Sequence, residues 1–264
     1  MGMLETTHRL ARGVDQAAYL LARRVIDRAK GYGVINRGGR GVVGLIDVGS
    51  VGPLPSPWHQ RSDLVSHVLK FEPRDPRGAT SRVVTVDAAL WREPARLPFY
   101  VYAGQKGHGS SLFREDQDYV RENFETLRTL GPSHLAETWF ERVQLDHVDE
   151  IQCTTLDTVL ADCSERYHVL KIDAQGAERQ ILEGAADYLA GGDCVALHLE
   201  LFRLPLYKGI ALRPEVEEMV EGMGFSLVKE YPPHGTFDSC NDCVFLRRGA
   251  EGPVAEAIRT AYEL

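Results

Sequence analysis

The sequence predicts an α/β protein with a doubly wound, mostly parallel seven-stranded sheet, a reversed edge strand and an inserted cover. Three observations predict it. Short apolar runs recur along the chain, most of them separated by helical stretches, which requires crossovers and a parallel sheet covered on both faces. The last two runs follow each other with no helix between them, which requires a reversed strand at one edge. One polar segment, residues 104–152, breaks the alternation, and a long excursion rich in aromatic residues reads as an ordered cover.

In chain order, Ala17, Tyr19, Leu20, Leu21, Val25 and Ile26 alternate with arginines as a helix does, inside an N-terminal helical extension over residues 1–40. Glycines from Gly31 to Gly41 end it. Val42–Asp47 is too short for a helix and rich in β-branched residues, which suits a buried central strand. Val68–Phe71 and Arg82–Val86 are the second and third strands, and Pro98–Tyr102 is a short extra one. His168–Ile172 is the fourth main strand, followed by a helix over Ala177–Leu189. Asp193–Phe202 is the fifth, Arg213–Met223 a helix, Phe225–Tyr231 and Asp242–Leu246 the closing strands, and Val254–Tyr262 a terminal helix. Within the cover, Tyr119–Leu130 reads as a helix. With no repeat and no low-complexity tract, one domain over residues 1–264 is the simplest division.

Composition narrows the function. A net charge of −8 disfavours a protein whose main partner is nucleic acid, because phosphate binding needs a basic face. No run approaches the roughly 20 apolar residues of a membrane span. The first residues carry Glu5, His8, Arg9 and Arg12 without an apolar core, so a secretory signal is not expected and the cytoplasm is the expected compartment. Five cysteines do not suggest a disulfide framework. Cys240 and Cys243 have CxxC spacing, but no second ligand pair accompanies them and they lead straight into Val244-Phe245-Leu246, so they are read as structural.

The chemistry concentrates at strand ends. Asp47-Val48-Gly49-Ser50-Val51-Gly52 follows the first strand, where open parallel sheets bind ligands. Gly49 and Gly52 let the backbone bend and approach a ligand closely. A carboxylate at Asp47 would repel a pyrophosphate and suit a ligand carrying ammonium and sulfonium groups. Glu72 ends the second strand, placed to accept hydrogen bonds from two ribose hydroxyls, and Asp87, before Ala88, ends the third, placed to meet an adenine amino group. Together the three acids favour a nucleoside-type cofactor.

These residues, with Thr155-Leu156-Asp157, Leu170-Lys171-Ile172-Asp173-Ala174-Gln175-Gly176-Ala177-Glu178 and Leu182-Glu183-Gly184-Ala185, resemble the FkbM-type methyltransferases over roughly residues 42–247. Asp47-Val48-Gly49-Ser50, Phe71-Glu72-Pro73, Ala88-Ala89-Leu90, Ser110-Ser111-Leu112, His198-Leu199-Glu200 and Pro205-Leu206-Tyr207 continue the similarity in order. The resemblance implies a Rossmann-like methyltransferase fold, S-adenosyl-L-methionine as cofactor, and O-methylation of a small-molecule natural product or a sugar-containing metabolite. It implies a cofactor site at Asp47, Gly49, Ser50, Gly52, Glu72, Asp87, Ala88 and Asp173. Pro53 stands where the family usually has glycine, and the span from Ser111 to Thr155 looks longer than the family norm, so substrate choice is expected there.

Methyl transfer to a hydroxyl needs alignment, exclusion of water and removal of a proton. The candidate catalytic groups are Asp173, Glu178, Glu200 and Lys171, with His108, His198 and His234 behind them. Lys171 and Asp173 share one side of a strand, so a buried ion pair between them is an equally good reading. Glu178 is also favoured by the helix dipole alone, and His198 reads more readily as a core histidine. No compact ligand spacing supports a Mg²⁺ site at Asp173, Glu200 and Asp242, and no metal is assigned. A small-molecule acceptor is the expected partner, and a homo-oligomer is compatible with the sequence. Two alternatives stay open: a nicotinamide oxidoreductase, disfavoured by Asp47 where a dinucleotide loop has glycine, and a cofactor-binding protein without catalysis.

Overall fold

The computed structural model describes residues 41–49, 54–74, 83–104, 109–161 and 163–264. The helix expected over residues 17–29, the loop residues Ser50, Gly52 and Pro53, and His108 lie outside the described residues.

Seven strands form the main sheet: β1 (Val43–Val48), β2 (Val65–Phe71), β3 (Val83–Val86), β7 (Val169–Ile172), β8 (Ala196–Phe202), β9 (Phe225–Glu230) and β10 (Cys240–Arg247). Their order is β3-β2-β1-β7-β8-β10-β9. β1, β2, β3, β7 and β8 run parallel to one another, while β10 runs antiparallel to both β8 and β9. The reversed strand therefore sits one place in from the edge, as the short β9–β10 connection allows. All six residues of β1 are buried, as a central strand covered on both faces requires.

Alternation along the strands divides the core. On one face Ile46, Val48, Leu69, Phe71, Leu170 and Ile172 pack against Ile181, Leu182, Val216 and Val220. On the other, Val43, Leu45, Val68, Val169 and Val244 pack against Trp58, Ile258 and Tyr262. The terminal helix α8 (Pro253–Tyr262) covers that second face, tied down by the Trp58 indole donating to the Tyr262 hydroxyl at 3.1 Å.

A smaller sheet, of order β4-β6-β5, holds β4 (Ala89–Leu90), β5 (Ala95–Tyr102) and β6 (Leu145–Thr154). The sequence pattern does not reveal β6, because seven of its first eight side chains are exposed and the backbone pairing with β5 makes the strand. Between β5 and β6 lie α1 (Gln117–Leu127), α2 (Ser133–Glu137) and α3 (Trp139–Arg142). Asp116 caps α1 by accepting from the Tyr119 amide at 3.2 Å. Trp139, Phe124 and Phe140 pack with Phe237, Phe202, Leu206 and Tyr207 over the end of β8.

The helix expected over 177–189 is two pieces, α5 (Glu178–Glu183) and α6 (Ala186–Ala190). Gly184 separates them, where a Cβ would stand 2.2 Å from the Trp91 carbonyl oxygen. Asp157, from α4 (Leu156–Ala161), restores the lost bonds: its carboxylate accepts from the Asp187 and Tyr188 amides, both at 2.9 Å. The helix α7 (Arg213–Gly222) begins with Glu215 accepting from the Leu212 amide at 3.2 Å.

Candidate active site

The carboxyl ends of β1, β2 and β7 are sewn together by backbone bonds: the Gly49 amide donates to Phe71 and the Asp173 amide to Val48. Gly49 has φ of 78°, and a Cβ on it would lie 1.9 Å from the Asp173 carbonyl oxygen. Only glycine fits this crossing. Above it opens a cavity of about 400 Å³ lined by Val48, Gly49, Phe71, Glu72, Arg74, Ala88, Ser110 and Asp173–Gln175, among others. Glu72 is 8% exposed and accepts from the Arg74 amide at 3.0 Å, while the Arg74 guanidinium donates to Ser110 Oγ at 2.9 Å.

A second cavity of about 300 Å³ lies beside the first and shares Gly109, Asp173 and Gln175 with it. Its walls include Glu115, Trp139, Arg142, Glu200, Tyr207, His234 and Cys240. Gln175 stands at the junction with φ of 52°, a left-handed conformation uncommon for this residue. Its amide nitrogen donates to Asp173 Oδ1 at 3.0 Å and to Glu200 Oε2 at 2.8 Å, and its amide oxygen lies 3.0 Å from the Tyr207 hydroxyl. Ser111 Oγ donates to its carbonyl at 2.6 Å. One side chain thus ties the acids at the ends of β7 and β8 together.

The expected site residues divide between wall and support. Gly49, Glu72, Ala88 and Asp173 line the first cavity, and Asp173 and Glu200 line the second. Asp47, Lys171 and Glu178 line neither. The register of the parallel strands sets Lys70 and Lys171 directly beside Asp47, and the fully buried carboxylate lies 3.5 Å and 4.0 Å from their ammonium groups. Asp47 shares the side of β1 occupied by Leu45, away from the cofactor-sized cavity. Asp87 is exposed and outside the cavity wall. Glu178 is buried and accepts from the Ala174 amide at 2.9 Å and the Gly176 amide at 3.3 Å, so it holds the turn that carries Gln175.

Charge is concentrated along β7, β8 and β10. Lys171 donates to Asp173 Oδ2 at 3.2 Å. Burial opposes its charge, but the Asp173 and Asp47 carboxylates prevail and hold its pKa above the usual lysine value. Burial, and then the Asp173 charge, pushes the Glu200 carboxyl well above the carboxylate range. Burial raises Glu178 to about 7 and Glu115 to about 8. Asp242 is opposite in sense: burial would raise it, but bonds from His198 and His234, each at 3.1 Å, hold it below the usual range. His198 is buried, held between Asp242 and the Tyr262 hydroxyl.

Sequence reasoning does not single out Gln175, Glu115, Arg142, Tyr207 or Cys240 as site residues. Gln175 lies inside the most specific stretch of the resemblance, yet its backbone strain has no signature beyond the adjacent Gly176. Glu115 and Tyr207 are joined by an isolated β-bridge across 92 positions, which no local pattern announces. Cys240 faces the second cavity while Cys243 packs with Phe245 in the core, so the CxxC cysteines point to opposite sides of β10 and no disulfide joins them.

A seven-stranded sheet in this order, with its cavities at the carboxyl ends of the parallel strands, defines a Rossmann-like methyltransferase fold. The family model "Methyltransferase FkbM domain" matches residues 55–227, and the chain belongs to that family. Among curated proteins it is similar to "Methyltransferase sdnD" of Sordaria araneosa, 23% identical over 70% of this chain and 74% of that protein. Two solved structures are similar. The methyltransferase FkbM of Methylobacillus flagellatus KT is 12% identical, with a TM-score of 0.41 over 81% of this chain, which spans 47% of that one. Magnesium protoporphyrin IX methyltransferase of Synechocystis PCC 6803, solved with bound SAM, is 14% identical, with a TM-score of 0.36 over 94% of this chain and 85% of that one. Among the described residues, no helix is long and apolar enough to cross a membrane.

Proposed function

We propose that this protein transfers the methyl group of S-adenosyl-L-methionine to a hydroxyl of a small-molecule acceptor, a natural product or a sugar-containing metabolite. The observation that carries this reading is the meeting of two cavities at Asp173 and Gln175, one walled by a buried acid at a β2 end and the other by titratable groups. The first fits the cofactor: Gly49 lets the loop after β1 close against the Asp173 backbone beneath the cavity, and Glu72 offers a carboxylate to two ribose hydroxyls. Ala88 and the 173–175 turn complete the wall.

Bound there, S-adenosyl-L-methionine supplies an electrophilic methyl carbon on a sulfonium. The chain's task is to hold the acceptor oxygen in line with the carbon–sulfur bond in the neighbouring cavity. Asp173, fixed by Lys171 and Gln175, faces both cavities and is placed to take the hydroxyl proton as the oxygen attacks. Held there, the cofactor would supply the methyl group, the carbon–sulfur pair staying with sulfur as the carbon–oxygen bond forms. Glu200, held by Gln175, lines the acceptor side with His234. Residues 109–152, which supply Glu115, Trp139 and Arg142, form the cover that shapes the acceptor space.

Calorimetry with S-adenosyl-L-methionine and with NAD tests the cofactor, and detection of demethylated cofactor over a panel of hydroxylated acceptors tests the reaction. The expected result is heat with the first ligand only, and product that depends on acceptor. Heat with NAD alone would overturn the reading in favour of an oxidoreductase; binding without turnover on any acceptor would leave a cofactor-binding protein.

A further inference from the structure

The second cavity contains a cluster the methyl-transfer chemistry does not require. A carboxylate oxygen of Glu200, a ring nitrogen of His234 and Sγ of Cys240 all lie within 4.8 Å of one another. Cys240 Sγ is 3.5 Å from His234 Nδ1, and Glu200 Oε1 is 3.9 Å from the same nitrogen. Around a tetrahedral Zn²⁺ with bonds of roughly 2.0–2.3 Å, neighbouring ligand atoms stand roughly 3.3–3.8 Å apart. The trio needs only small side-chain movement to reach that spacing.

Backbone and side-chain bonds hold the trio in place. His234 and Cys240 are locked by a two-way backbone bridge, amide to carbonyl at 2.9 Å and 3.2 Å. Glu200 stands on β8, whose register with β10 pairs it with Asp242. Asp242 Oδ2 lies 3.1 Å from His234 Nε2, so with the proton on Nε2 the ring points an unprotonated Nδ1 at Glu200 and Cys240. Gln175 occupies Glu200 Oε2, leaving Oε1 on the His234 side.

We propose that Glu200, His234 and Cys240 bind a divalent, borderline-soft cation of the Zn²⁺ class, with Asp242 as the residue that positions His234. Three protein ligands leave a fourth position facing the acceptor cavity, as catalytic zinc sites do. Binding exchanges the Cys240 thiol proton, together with the proton that burial holds on Glu200, for the ion. An acceptor oxygen in the fourth position would bind as a more acidic hydroxyl and pass its proton to Asp173. That role rests on the methyl-transfer reading, whereas the ion's binding does not. As a thiol, Cys240 also donates to the His234 carbonyl oxygen, 3.5 Å from Sγ, whereas Glu200 Oε1, at 3.9 Å from the ring, lies beyond hydrogen-bond distance.

The test titrates the reduced full chain with Co²⁺ and follows thiolate-to-cobalt charge-transfer absorption, then competes the ion out with Zn²⁺. One equivalent should bind with that band. Cys240→Ser should abolish the band, and Asp242→Asn should weaken affinity by about 10–100-fold. Calorimetry with S-adenosyl-L-methionine on each variant reports separately on the neighbouring cavity and on folding. If Cys240→Ser does not fold, His234→Gln decides, with an expected loss of at least about tenfold in Co²⁺ affinity. No band in the unaltered chain, a band that survives Cys240→Ser, or unchanged affinity in His234→Gln each overturns the proposal. None of those results touches the methyl-transfer reading, which fails on cofactor binding instead.

Discussion

Gly49 passes so close to the Asp173 carbonyl that a single added carbon would stand 1.9 Å from its oxygen, at a backbone φ of 78°. This contact joins the loop after β1 to the turn after β7 and forms the floor of the first cavity. Gly49→Ala must shift backbone against backbone as well as adopt a strained conformation. We expect a stability loss of about 1–3 kcal/mol or more in chemical denaturation, together with loss of S-adenosyl-L-methionine binding in calorimetry. Unchanged binding would mean that the loop contributes nothing to the cofactor floor.

Glu72 makes a separable prediction, because its carboxylate faces the cavity rather than the core of the sheet. Glu72→Ala should weaken S-adenosyl-L-methionine by about 1–3 kcal/mol, since ribose hydroxyls lose a charged acceptor, with little change in thermal unfolding. An affinity equal to that of the unaltered chain removes Glu72 from the site.

Asp173 touches both cavities, so its removal should divide the kinetic constants. For Asp173→Asn we expect kcat to fall by more than cofactor affinity does, because the acceptor proton loses its destination while the cavity wall keeps its shape. The opposite pattern would make Asp173 a cofactor ligand and no more.

Glu115 predicts a pH dependence of stability. It is 6% exposed, and burial lifts its carboxyl from 4.5 to about 8. The folded chain therefore binds more protons than the unfolded chain between those values, and this group's contribution makes stability fall as pH rises through that window. Glu115→Gln should relieve about 1–3 kcal/mol of that loss at alkaline pH and change little at about pH 5, measured by denaturant titration at each pH. An equal effect at both pH values would show that the carboxyl's ionisation is not involved.

The strand ends were legible because glycines and acids punctuate apolar runs there. Glu72 and Gly49 fall on the cavity wall as their positions imply. Asp47 does not, because a strand's side chains alternate: the residue ending the run points to whichever face the register dictates, and here that face offers Lys70 and Lys171. Glu178 reads as a site residue in the motif, yet its carboxylate is occupied by the Ala174 and Gly176 amides. β6 is hidden because its exposed side chains carry no periodic apolar signal.

By itself, the sequence determined the alternating α/β order, the buried central strands, the reversed strand near the end and the FkbM-type motif around Asp173. These are local, carried by composition and spacing within a few dozen residues. The tertiary structure decided which side chains reach the cavities and which brace them, and it alone gathered Glu115, Gln175, Glu200, Tyr207, His234 and Cys240 from distant segments. The physical reason is register: neighbouring strands fix side chains by hydrogen bonds between backbones far apart in the chain, and those pairings leave no trace in the local pattern of residues.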